Sequence, residues 1–154
     1  MRKMPLVLGA GLALSVTLAG YAATAADDPI KTRQAIMSSV GAAAGLGGGM
    51  MKGNVDYSPA AAKAAIAAMY AASLSFGSFF PEGSETGENT EAAPAIWSDP
   101  EGFQSQIVKF QGAAAEAMNA SGRNGPDGVQ AFKAAFAPVL STCKSCHEGY
   151  RTKK

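Results

Sequence analysis

The stretch PDGVQAFKAAFAPVLSTCKSCHEGY, residues 126–150, decides the fold. Val129, Phe132, Phe136, Leu140, Cys143, Cys146, His147 and Tyr150 recur in it mostly at steps of three and four, which places them on one face of a helix. Pro126 suits the first turn of such a helix, where its missing N–H is not needed. Pro138 lies inside the run and predicts a bend or one loosened turn. A helix with an apolar stripe this long must lay it against other elements.

Working back along the chain, three further runs supply them. Run C opens at Asp99-Pro100, an N-cap followed by proline at the first helical position. It repeats Phe103, Ile107, Phe110, Ala114 and Ala117, and Ser121 to Gly125 ends it. Run B opens the same way at Ser58-Pro59 and aligns Ala62, Ile66, Met69, Ser73, Phe76 and Phe80 before Pro81 stops it. Run A opens at Asp28-Pro29 and aligns Ile30, Arg33, Met37, Val40 and Ala44. It then meets Gly45, Gly47, Gly48 and Gly49, which predict an early helix end or the close approach of another backbone. Residues 81–99 are polar and turn-rich, a long surface connection of the kind that crosses something or carries function. Four amphipathic runs, no strand alternation and one long connection predict an all-α, antiparallel four-helix bundle. The stripes Phe103, Ile107, Phe110, Phe132 and Leu140 read as core.

Residues 1–25 are a different object. Arg2 and Lys3 precede an uncharged apolar run from Leu6 to Ala19, and Ala23-Thr24-Ala25 puts small residues where a signal peptidase reads. A secretory signal peptide over 1–25 is expected, with the four-helix domain over 26–154 and Ala26 as the mature N-terminus. A membrane anchor fits less well, because the run is short for a bilayer needing about 20 residues. No later segment is expected to span a membrane, and the expected compartment is a bacterial periplasm. Loss of Arg2 and Lys3 reduces the 13 basic residues to 11 against 12 acidic ones, a formal charge of −1. That balance offers nothing to neutralise phosphates, so nucleic-acid binding is excluded.

Export would let two cysteines form a disulfide. Here, however, they stand as Cys143-Lys144-Ser145-Cys146-His147, with the only histidine of the chain directly after them. Two thiols three residues apart on a helix point the same way and match the two vinyl groups of haem, each forming a thioether. His147 lies four residues after Cys143, on the same face, where its imidazole reaches the iron. The pattern is that of c-type haem attachment. A structural zinc site needs four ligands, and the chain has three soft candidates. A thioredoxin-type pair needs a βαβ setting that is not visible.

Arg33-Gln34-Ala35-Ile36-Met37, Phe80-Pro81-Glu82-Gly83, Ile96-Trp97-Ser98-Asp99, and Cys143 to Glu148 with Tyr150-Arg151 together resemble the class II c-type cytochromes, the cytochrome c′ family. The resemblance covers the whole mature chain. It implies one covalent haem c near one end of the bundle, held mostly by run A and by the 126–150 stretch, run D. It makes Cys143 and Cys146 the thioether positions and His147 the axial ligand. Arg33 and Gln34 would lie against the haem edge, with Arg33 neutralising a propionate. Glu91 falls where the loop approaches the haem, and Met37 over the open distal face of the iron. It further implies homodimers through runs A and B, where Gly41, Ala42, Ala43, Ala44 and Gly45 permit close approach. Trp97 reads as a packing anchor for the loop.

Met37 divides two functions. If it packs over the iron without bonding, the iron is five-coordinate and high-spin, binds NO or CO and transfers electrons slowly. If its sulfur ligates, the centre is six-coordinate and low-spin, the potential is raised and electron transfer alone remains. The first is the preferred reading. Partners would be small redox proteins or membrane electron-transfer complexes. An enzyme such as a peroxidase is not expected, since it needs a distal acid–base group and His147 is the sole histidine.

Overall fold

The computed structural model describes residues 28–152, so the expected signal peptide and cleavage point lie outside the described residues. Four long helices dominate: α1 (Pro29–Lys52), α2 (Pro59–Ser75), α4 (Pro100–Ala120) and α5 (Gly128–Tyr150). A one-turn helix, α3 (Ala95–Ser98), sits in the long connection.

The cap-plus-proline starts form as their chemistry requires. The Asp28 carboxylate accepts from Lys31 N at 2.9 Å, Ser58 Oγ from Ala61 N at 3.4 Å, and the Asp99 carboxylate from Gly102 N at 3.1 Å. The end of run A differs from expectation. α1 continues through its glycines to Lys52 and stops at Gly53, whose φ of 76° makes the left-handed cap. What comes close at Gly47 is a ring rather than a backbone: a Cβ there would overlap the side chain of Phe136. Burial of Met50 and Phe136 offsets what glycine costs the helix.

The start of run D also moves. α5 begins at Gly128, two residues past Pro126, because Gly128 takes a φ of 86° and its N–H turns back to the Pro126 carbonyl at 3.0 Å. Pro126 serves the turn, where its carbonyl accepts from the Tyr57 hydroxyl. From there α5 is continuous through Pro138.

α1 packs on α2, α2 on α4, α4 on α5, and α5 back on α1, which closes a four-helix bundle. The neighbours run antiparallel. Lys63, early in α2, reaches the Gly122 carbonyl beyond the end of α4, whereas Ser73, late in α2, accepts from Gln111 within α4. Likewise Gly47, late in α1, meets Phe136, early in α5. The main core joins Met50, Ile66, Met69, Phe132, Phe136 and Val139, all essentially without exposure. The Phe132 and Phe136 rings stack at 4.9 Å. Val139, rather than the expected Leu140, takes the fully buried place; Leu140 is half-buried against the same core. A second, aromatic cluster gathers Ile96, Phe103 and Ile107 with Phe76, Phe80, Trp97 and Tyr150.

One expectation needs correcting. Pro59–Phe79 is long and apolar enough, by composition alone, to cross a bilayer. Alanine gives it that character, and its row Ala62, Ala65, Ile66 and Met69 lies inside the bundle.

The long connection is fastened to the far end of the chain. Ala93 N donates to the Tyr150 carbonyl at 3.0 Å, and Thr152 N to the Glu91 carbonyl at 2.8 Å. Ala92 and Arg151 thereby form an antiparallel bridge directly after the last turn of α5.

Candidate functional site

Between the two clusters lies a cavity of about 650 Å3, within the size range of small-molecule and cofactor sites. α5 contributes Thr142, Cys143, Cys146, His147 and Tyr150 to its lining. α1 contributes Arg33, Gln34, Met37, Val40, Gly41 and Ala44 from the facing side. All seven residues singled out in the sequence — Arg33, Gln34, Met37, Glu91, Cys143, Cys146 and His147 — therefore line one space.

Part of the wall comes from residues whose stripes read as core in the sequence. Phe103, Ile107 and Phe110 of α4, with Phe76 and Phe80, line the same cavity. Their helical period says that they face inward, which in a sequence reads as core. Apolar surface turned toward a flat apolar ligand carries the same period as surface turned toward another helix.

The chemistry of the lining suits a haem. Cys143 and Cys146 are half-buried and are not joined to each other. Burial pushes both thiols above their ordinary value, and the Cys143 charge raises Cys146 further, so both stand as thiols at neutral pH. His147 is open to solvent on one side, yet desolvation on the cavity side lowers its pKa; Arg151 lowers it further and Glu91 opposes. A neutral imidazole is the form that ligates iron. The motif is also held across the bundle, since Ser145 Oγ donates to Gln106 Oε1 at 3.0 Å.

The rim is polar. The Glu91 carboxylate pairs with Arg151, Nη2 at 2.5 Å and Nε at 2.6 Å, so it does not face the cavity as a lone negative charge. Gln34 Nε2 donates to the Glu88 carbonyl at 2.9 Å. Arg33 is buried rather than a solvated helix charge. Its guanidinium bonds Phe79, Ser84 and Thr90 and lies 4.9 Å from the Phe80 ring centre. Trp97 packs edge-on against Phe80 and donates from Nε1 to the Pro81 carbonyl at 3.3 Å, anchoring the loop. Lys144 and Glu148 form an exposed i,i+4 pair at 3.7 Å, a contact of little energetic weight.

The sequence profile described as Cytochrome C′ matches residues 28–151. Cytochrome c′ of Rhodopseudomonas palustris is 33% identical over 148 residues, covering 96% of this chain and 91% of that protein. Its solved structure superimposes with a TM-score of 0.74 over 82% of this chain and 98% of that one. A nitric oxide complex of a variant of cytochrome c prime from Alcaligenes xylosoxidans gives a TM-score of 0.71 at 30% identity, over 84% of this chain and 97% of that one. The chain belongs to the cytochrome c′ family, whose members carry one covalently bound haem c in a four-helix bundle.

Proposed function

We propose that this is an exported, periplasmic cytochrome whose iron is five-coordinate and high-spin, binds NO and CO, and passes electrons to small redox proteins or membrane electron-transfer complexes. The observation that carries this reading is the asymmetry of the cavity lining. α5 supplies two thiols and an imidazole, whereas the facing wall is apolar: Met37 and Val40 from α1, with Phe110 and Ile107 from α4. When bound, the haem supplies a redox-active iron with an open coordination position.

The chain's own residues set what reaches that position. Cys143 and Cys146 would tether the group covalently, and His147, on the same helix, would ligate its iron. Met37 stands on the facing wall and offers no charge to hold an anion. Gln34, Glu91 and Arg33 form the polar edge. Nothing on the apolar wall is placed to move a proton, so the reading assigns no enzymatic turnover. The nitric oxide complex of the Alcaligenes relative supports the gas-binding part.

Replacing Met37 by leucine tests the coordination. The expected result is an absorption spectrum almost unchanged in both oxidation states. Loss of a low-spin spectrum on substitution would show instead that the Met37 sulfur is a ligand and that electron transfer alone is the function.

The same reading includes a homodimer through α1 and α2. Thr32, Ala35, Ile36, Ser39, Ala68, Ala71 and Ser75 form a shallow groove of mostly small residues there, and Gly41 and Gly45 have no neighbours that a Cβ would meet. Size-exclusion chromatography with light scattering is expected to give twice the chain mass; a monomer at micromolar concentration would remove this part.

A further inference from the structure

We infer that Arg33 is a positioning residue: its guanidinium holds residues 79–90 in place as one wall of the cavity. The residue is 4% exposed. Nη1 donates to the Phe79 carbonyl at 3.1 Å and to Ser84 Oγ at 2.9 Å. Nη2 donates to the Ser84 carbonyl and to Thr90 Oγ1, both at 2.7 Å. Its four terminal N–H groups are thus spent on one segment. The rings of Phe80 and Trp97 approach it at 4.9 and 5.7 Å. A buried guanidinium is costly unless its donors are paired, and here the pairing comes from carbonyls and hydroxyls of the loop. Only a planar fork meets four such acceptors at once.

The backbone of the loop points the same way. Gly87, Glu88 and Asn89 take φ values of 108°, 43° and 55°, three successive residues in the left-handed region. Two of them carry side chains that resist it, and such a conformation persists only where its surroundings over-determine it. Arg33 supplies that restraint at Ser84 before the turn and at Thr90 after it, and Gln34 binds the Glu88 carbonyl within it. Asn89, Thr90, Glu91 and Ala92 then line the cavity. One end of α1 therefore sets where that wall stands.

The inference rests on the proposed function only in taking the cavity as the place of the haem. Its test uses haem-loaded Arg33→Lys and Arg33→Gln proteins, read by hydrogen exchange over 79–92 and by reduction potential between about pH 5 and 9. Lysine keeps the charge and loses the fork. Both variants are expected to exchange at least ~10-fold faster than the parent across 79–92, an opening of the loop alone. Their potential–pH curves should depart from the parent together. Parent-like behaviour of Arg33→Lys, with only Arg33→Gln departing, would overturn the inference, because charge alone would then suffice. Parent-like exchange in both would overturn it as well. If neither variant accumulates, Ser84→Ala removes one acceptor from the loop side: faster exchange over 79–92 supports the inference and unchanged exchange defeats it. A chain that takes up no covalent haem would instead remove the proposed function and leave the exchange comparison intact.

Discussion

Cys143→Ala/Cys146→Ala protein will show no covalent haem on a denaturing gel and will lose much of its helical circular dichroism and its cooperative melt. The reason lies in the cavity. It measures about 650 Å3, and Phe76, Phe80, Phe103, Ile107 and Phe110 are among the apolar side chains that wall it. At ~24 cal/mol per Å3 of void, holding that volume dry and rigid would cost on the order of 15 kcal/mol. That equals the upper end of a whole domain's stability. Without a tethered occupant the bundle must collapse inward or admit water against aromatic surface, and either route loosens α1, α4 and α5. The main core at the other end, built on Phe132, Phe136 and Met50, should retain some helix. Full parental helicity and an unshifted melting temperature in the double variant would refute the claim that the occupant is part of the core.

Phe136→Ala should be the most damaging single change away from the cavity. The ring is fully buried, stacks on Phe132 at 4.9 Å and fills the space over Gly47. Gly47 has no side chain to move into the gap, and a helix backbone cannot relax far toward it. Truncation should cost ~3–5 kcal/mol, a fall of roughly 10–20 °C in melting temperature for a domain of this size. Val108→Ala, on an exposed face of α4, should stay within about 0.5 kcal/mol of the parent. Thermal melts of the two holoproteins followed at 222 nm decide the matter, and equal melting temperatures would contradict the packing described.

What the sequence made legible divides by distance along the chain. Asp28-Pro29, Ser58-Pro59 and Asp99-Pro100 marked three helix starts because a cap acts on an N–H three residues away. That Cys143, Cys146 and His147 share one cavity is legible for the same reason, since little more than one helical turn separates them. Gly45 to Gly49 were misread because the ring that makes Gly47 useful comes from position 136. The start of α5 was placed at Pro126 because the proline was weighed and the left-handed Gly128 was not. Arg33 stands out on resemblance, yet its hydrogen-bond partners lie 46 to 57 residues downstream, in a loop with no period to betray them. Phe103, Ile107 and Phe110 show the limit of periodicity: it reports which way a side chain faces and is silent on whether protein or cofactor lies there.

The central proposal is a haem tethered through Cys143 and Cys146, its iron ligated by His147, with an open position under Met37. Its most direct test is the optical spectrum of ferric and dithionite-reduced protein, matured in a periplasm and then exposed to carbon monoxide. The account predicts a Soret band, a broad reduced visible band and ready change on adding the gas. A sharp, split reduced spectrum indifferent to carbon monoxide would contradict the open position, and the lack of any Soret band would contradict the haem itself.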